Sequence, residues 1–287
     1  MAHVGAAMVL CAGLGTRLRP LTEWLAKPLV PVGDRPAVAH VTRLLRDALP
    51  DLRIVVNVHH RPDDVRSWAA GERIDVSEEA QLLGTAGGVA RAAPLLGAGD
   101  VLVWNGDILS DLSPRALVAA HRGEATLAVL PRPAGEGNVG LDAEGRLVRL
   151  RAERFGDEVR GGEFLGVHVL GARLRAALPA TGCLVGDAYL PALRRGEALY
   201  AHEVDAAFVD VGTIGKYLEA NRDWLAARGL RAWADPSATV RAPIEGSVVG
   251  AGARVEAPCS RAVVWPGARV DAPVTDAVVT PQGVVGT

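Results

Sequence analysis

Lysine is nearly absent from this chain. Of 31 Lys plus Arg in 287 residues, only Lys27 and Lys216 are lysine. Where arginine carries almost all the positive charge, a lone lysine marks a place where a compact charge on a flexible stem suits a phosphate oxygen. An excess of one charge is also missing. The formal net charge is -2, which excludes general attraction to nucleic acid or anionic lipid and leaves any basic patch local. Cysteine is scarce: Cys11, Cys183 and Cys259 lie far apart with no C-x-x-C pair. That argues against a disulfide framework or a zinc site and fits a cytoplasmic protein. No apolar run reaches membrane-spanning length. The apolar start, Met1–Ala12, lacks a basic region and leads straight into a glycine loop, so it reads as a buried strand rather than a signal peptide.

What is present begins at that loop. Leu10-Cys-Ala-Gly-Leu-Gly-Thr-Arg-Leu-Arg-Pro-Leu-Thr22, followed by Ala26-Lys-Pro-Leu29, joins an apolar strand to two glycines, a hydroxyl, two arginines and Lys27. Backbone N–H groups and fixed positive charge in this order suit a polyphosphate. The segment is neither a P-loop, because no Gly-Lys follows, nor a dinucleotide fingerprint, because Leu18 stands where the third glycine is needed.

Short aliphatic runs at Ala7–Ala12, Ile54–Val58 and Val101–Asn105 alternate with helical patterns at Ala37–Leu49, Thr85–Leu96 and Ser113–His121. This is βαβ organisation and predicts a Rossmann-like, doubly wound mixed sheet. Strands are expected at Ala125–Pro131, Val139–Asp142, Leu147–Arg151 and Phe164–Leu170, as an insertion lying over a ligand crevice. Helices near Ala172–Leu178 and Gly186–Arg195, a strand at Ala207–Val211 and a helix over Ile214–Ala227 follow. After Arg231, Val248–Val255 recurs as Val263–Val270 and more weakly as Val278–Val285, each copy offset by 15 residues. Within the copies aliphatics recur after six: Val249 and Val255, Val264 and Val270, Val279 and Val285. Such spacing reads as a β-solenoid with one aliphatic side chain inside per short face. Trp265 is expected at one of its corners. The expected domains are residues 1–230 and a short β-solenoid over 231–287.

The opening motif closely resembles the signature of the sugar-1-phosphate nucleotidylyltransferases, G-x-G-T-R-L-x-P-L-T followed by P-K-P, with Ala26 in place of the first proline. Three later segments resemble further motifs of that family in the same order: Glu79–Gly88, Asn105-Gly-Asp107 and Phe208–Thr213. The resemblance implies an enzyme that joins a nucleoside triphosphate to a sugar 1-phosphate with release of pyrophosphate. It implies nucleotide contacts from Leu10, Ala12, Gly13, Gly15, Thr16, Arg17, Glu79, Gly84, Thr85 and Gly87, and Mg²⁺ held by Asp107 and Asp210. It makes Arg17, Lys27, Asp107 and Asp210 the catalytic set, residues 1–230 the catalytic domain and the tail over 231–287 a short left-handed β-helix. Glu163-Phe-Leu-Gly166 resembles the family's E-F-T/S-G, with Leu165 for the usual hydroxyl residue, and Asn138-Val-Gly140 stands in the place of its G-V-V segment, so Asn138, Glu163 and Gly166 are sugar-contact candidates.

Within the family the pattern is closest to the mannose-1-phosphate guanylyltransferases and the N-acetylmuramate-1-phosphate uridylyltransferases. Glu79 is acceptor-only and leans toward a guanine edge. The leading reading is therefore the guanylyl reaction and the second the uridylyl one. A regulatory subunit that only binds nucleotide-sugar is disfavoured, because Arg17, Lys27, Asp107 and Asp210 are all present. No nucleic-acid or membrane partner is expected. The tail is expected to cap the catalytic domain or mediate homo-oligomerisation. Roughly three coils without histidine are too few for an acyltransferase site. Adjacent His59 and His60 point to opposite faces of a strand and are read as packing or surface residues, and Cys11 as a packing residue.

Overall fold

The apolar runs of the first half are the centre of a ten-stranded sheet. A computed structural model of the chain describes residues 4–286, which divide into two compact units. One comprises the residues up to Leu14 together with Val41–Phe208; the other comprises Gly15–His40 together with the residues from Val209 on.

In the first unit, strands β1 (Val4–Leu10), β2 (Arg53–Val58), β3 (Asp75–Glu78) and β4 (Asp100–Asn105) are mutually parallel, in the order β4-β1-β2-β3. Ala7, Met8 and Val9 of β1 and Val101–Trp104 of β4 are fully buried, as expected of parallel strands covered on both faces. The strands β5 (Ala125–Arg132), β6 (Val139–Leu141), β7 (Leu147–Leu150), β8 (Glu153–Arg154) and β9 (Arg160–Leu170) do not form a separate insertion. β9 pairs antiparallel with β4, and through it β5 and the β6-β7-β8 meander extend the same sheet. β10 (Leu199–Glu203), absent from the sequence reading, adds parallel to β5. The architecture is thus mixed α/β around one mixed sheet.

Helices α1 (Ala37–Ala48) and α4 (Pro114–Ala119) fall where expected, the latter capped by the Ser113 hydroxyl, which accepts from the Ala116 N–H at 3.2 Å. Two further helices differ from expectation. α2 (Pro62–Glu72) was not foreseen, because its apolar stripe is sparse: only Val65 and Ala69 are buried. The expected helix over 85–96 is broken. α3 (Gly84–Arg91) stops before Ala92, and a separate turn, Ala93–Leu96, restarts with Pro94 in its first turn, where a missing N–H costs nothing. The helix expected over 186–195 starts earlier, as a π-helical turn at Leu184–Tyr189 that runs into Leu190–Arg194.

The second unit contains the tail. Strands β11 (Trp233–Ala234), β12 (Val248–Val249), β13 (Val263–Val264) and β14 (Ala277–Thr280) stack in parallel on one face, and each residue pairs with the one 15 positions on. Two further faces repeat this at Thr239, Arg254 and Arg269 and at Ile244, Cys259 and Val274. Val249, Val255, Val264, Val270 and Val279 are buried inside, as the six-residue spacing predicts. The last copy departs from it. β15 (Gly283–Gly286) turns back antiparallel on β14, pairing Val285 with Val278, and so Val285 does not fill an inner position. The cause is the turn at Pro281-Gln282, where the Thr280 hydroxyl accepts from the Gln282 N–H and donates to the Gly283 carbonyl.

Trp265 follows β13 at a corner, as expected, yet it is buried to 5% exposure. Its indole N–H donates to the Tyr217 hydroxyl (3.0 Å), which donates to the Pro31 carbonyl (2.6 Å). Tyr217 lies on α5 (Ile214–Ala226), whose Asn221 accepts from the Gly33 N–H at 2.9 Å. Helix, coils and the Pro31–Pro36 hairpin therefore form one core. Trp265→Phe removes this donor and some packing and is expected to lower stability by about 2 kcal/mol in chemical denaturation. An unchanged midpoint would assign the bond no role.

Candidate active site

Parallel strands end their hydrogen bonding together, and open α/β sheets expose their ligand groups at the carboxyl ends. Here Val9 pairs with Val56 and Leu10 with Asn105, so Leu10, Asn57 and Asn105 end three adjacent strands. Above them opens a cleft of about 290 Å³ lined by Leu10, Ala12, Gly13, Asn57, Leu82, Gly84, Thr85, Asn105 and Asp107. Six of these are residues that the sequence singled out. Gly13 is exposed, with open space where a side chain would stand.

The loop from Glu79 to Gly84 forms one wall. Gly84 has φ 76°, a conformation that side chains resist, and its α-carbon lies so close to the Gly182 carbonyl that no Cβ would fit. The next turn is held by the same segment: the Ala86 N–H donates to the Gly182 carbonyl (2.9 Å), and the Thr85 hydroxyl accepts from the Leu184 N–H (2.8 Å). Gly87 is buried against Ala180 and Thr181.

Glu79 is 5% exposed, and its carboxylate is engaged within the protein. Oε1 accepts from the Asn57 amide at 2.6 Å, and Oε2 accepts from the Leu83 N–H at 3.0 Å. Asn57 in turn accepts from the Cys11 N–H at 2.7 Å. The sequence reading missed Asn57. The available signal was a single polar residue inside the apolar run Ile54–Val58.

Asp107 follows β4 in a tight turn, where the Gly106 N–H donates to the Leu10 carbonyl at 2.9 Å. Burial, and secondarily the nearby Asp107 charge, push the Cys11 thiol far above its ordinary range. A thiol so held is a packing group and not a nucleophile. On the sugar-candidate side, the Asn138 amide donates to Glu163 at 2.6 Å and the Phe164 N–H donates to Asn138 at 2.8 Å, so the two residues form one cluster. Leu165 is 2% exposed, so the residue replacing the family's hydroxyl faces the core. Gly166 sits where the β9–β5 register shifts, against the Asn105 side chain. His59 donates through Nδ1 to the Glu79 carbonyl at 3.0 Å, a packing role.

The remaining candidates, Gly15, Thr16, Arg17, Lys27 and Asp210, lie in the second unit. Gly15 is left-handed (φ 62°), and the Thr22 hydroxyl donates to its carbonyl at 3.0 Å. A Cβ at Gly15 would stand 2.7 Å from Thr22 and 3.1 Å from the Lys27 stem, so the glycine makes room for both. Ala26, standing for the family's proline, has φ −56° and ψ 136°, the backbone a proline ring would fix. A proline ring could therefore adopt the backbone found at Ala26. Arg17 lies 3.7 Å from Asp210, whose buried Oδ1 has no hydrogen-bond partner among the described residues. The Thr213 hydroxyl caps α5 by accepting from the Lys216 N–H, which accounts for the end of that motif. Among the described residues no group of three or more His, Cys, Asp or Glu could hold a metal by itself, and no helix is long and apolar enough to cross a membrane.

Residues 6–138 match the nucleotidyl transferase family. Curated relatives of the chain are named as mannose-1-phosphate guanylyltransferases and a glucose-1-phosphate uridylyltransferase. The chain is 29% identical over 240 residues to a probable mannose-1-phosphate guanylyltransferase 2 of Arabidopsis thaliana, covering 76% of this chain and 65% of the relative. It is 27% identical over 250 residues to a UTP–glucose-1-phosphate uridylyltransferase of Synechocystis, covering 78% and 63%. The chain thus spans slightly less than two thirds of these relatives' lengths. Among solved structures, HddC from Yersinia pseudotuberculosis in complex with GMP-PN shares the fold, with TM-score 0.63, 20% identity, and coverage of 78% of this chain and all of that one.

Proposed function

We propose that the chain transfers a nucleotidyl group from a nucleoside triphosphate to a sugar 1-phosphate, with GTP and mannose 1-phosphate as the leading pair. The observation that carries this is the cleft at the ends of β1, β2 and β4, where Leu10, Ala12, Gly13, Gly84, Thr85 and Asp107 converge. In this reading a phosphate oxygen of the sugar 1-phosphate bonds to the α-phosphorus as the bond to pyrophosphate breaks. The nucleophile is already an anion, so positioning and charge neutralisation suffice without a general base. Gly13 lets the phosphates approach the backbone, Gly84 and Thr85 shape the opposite wall, and Arg17 and Lys27 supply positive charge. Glu163, oriented by Asn138, meets the sugar hydroxyls.

Mg²⁺ bound with the triphosphate would neutralise its charge. Asp107 would supply a ligand oxygen, since an acceptor-only carboxylate suits a hard divalent cation. The matching role of Asp210 rests on the sequence resemblance and on its unpartnered Oδ1. The guanylyl preference is supported by the plant and fungal relatives' names. The Synechocystis relative supports the second reading, a uridylyl donor, and Glu79's internal bonds weaken its use as a base reader. In this reading residues 1–230 hold the catalytic functions, the coils over 231–287 serve structure or homo-oligomerisation, and the enzyme works in the cytoplasm.

Pyrophosphate release over a grid of nucleoside triphosphates and sugar 1-phosphates with Mg²⁺ tests the proposal. GTP with mannose 1-phosphate is expected to give the highest kcat/KM. Silence across the grid, with nucleotide-sugar still bound, would replace catalysis by a binding role.

A further inference from the structure

Asn57 occupies a position that neither packing nor strand pairing requires. It is 2% exposed at the end of β2, among apolar neighbours, where an amide is costly unless its donors and acceptor are used. Here they are used across two loops. Its Oδ1 takes the Cys11 N–H, the first peptide of the glycine loop, and its Nδ2 donates to Glu79, whose other oxygen takes the Leu83 N–H. The Glu79 N–H donates back to the Val58 carbonyl at 2.8 Å. Gly88 of α3 packs on the pair so closely that a Cβ would stand 2.6 Å from the Asn57 amide. The series Cys11–Asn57–Glu79–Leu83 therefore runs beneath the cleft from one wall to the other.

We propose that Asn57 is a positioning residue, and that the Asn57–Glu79 bond sets the gap between the glycine loop and the Glu79–Gly84 loop into which the nucleotide fits. This rests on the nucleotide reading above and gives Glu79 a task distinct from direct contact with a base. The direction of the bond is fixed by chemistry. The carboxylate can only accept, so residue 57 must donate while also accepting from Cys11, and an amide does both.

The test exchanges donor and acceptor. Asn57→Asp keeps the shape and the acceptor for Cys11 but sets two carboxylates against each other. Adding Glu79→Gln gives the bond back with reversed polarity, because the new amide can donate to residue 57 and accept from Leu83. Hydrogen exchange by mass spectrometry, on the full chain without nucleotide, is expected to show faster exchange in peptides covering Cys11 and Leu83 in N57D, and near-normal protection in the double variant. In the assay, KM for the triphosphate is expected to rise by on the order of 10- to 100-fold in N57D, with kcat changed less, and to recover to within about threefold in the double variant. Equal exchange in N57D and the parent, or a double variant no better than the two single effects combined, would overturn the proposal. A parent chain inactive on every substrate pair, but with the exchange pattern as expected, would remove the catalytic reading and leave the coupling of the two loops standing.

Discussion

Asp107→Asn is expected to lower pyrophosphate release by about 10³-fold at saturating substrates, because charge stabilisation worth several kcal/mol disappears with one carboxylate. The substitution is nearly isosteric. Asp107 is only half-buried at the rim of the cleft, in a turn whose backbone is held by the Gly106 N–H and the Leu10 carbonyl, so the fold has little reason to change. The thermal midpoint is expected to stay within a few degrees of the parent, separating a lost charge from a lost structure. If the variant keeps activity within threefold of the parent, Asp107 is not a metal ligand and the cation must be held without it.

Lys27→Met is expected to cost about 10²- to 10³-fold in kcat/KM, the range typical of a preorganised charge removed from a developing anion. The effect should fall mainly on kcat if the ammonium acts as phosphates reorganise, and on KM if it only binds the ground state. Lys27→Arg is not expected to restore it. The lysine stem runs against Gly15, with the lysine Cβ and Cδ 3.1 and 3.3 Å from where a Cβ would be, and a planar guanidinium cannot follow the path of a point charge on that stem. Recovery to near-parental kcat/KM in the arginine variant would mean that charge alone matters at this position.

Much of this was legible in the residues. The solenoid declared itself because one period governs pairing and burial alike: Val248, Val263 and Val278 are register partners as well as sequence repeats. The three parallel strands at the cleft were legible because burial on both faces leaves no polar residue to break the run. Asn57 is the exception that shows the limit. A single amide in an apolar run looks like an irregularity until the fold brings it to Cys11 and Glu79, 46 and 22 residues away. Glu79 was read as free to face a ligand for the same reason, since nothing local reveals that Leu83 and Asn57 already claim its oxygens. β10 and α2 were missed because a half-buried strand without alternation and a helix with two buried residues carry little periodic signal.

The bond from Trp265 to Tyr217, and onward to the Pro31 carbonyl, gives the coils a bearing on the short turn Lys27–Leu29 that precedes that proline. The coils are therefore poor material for excision or grafting. A shortened chain would uncover Tyr217 and the Trp224–Trp233 edge contact before it told anything about assembly, and a transplanted set of coils would arrive without the helix whose Tyr217 takes the Trp265 indole N–H.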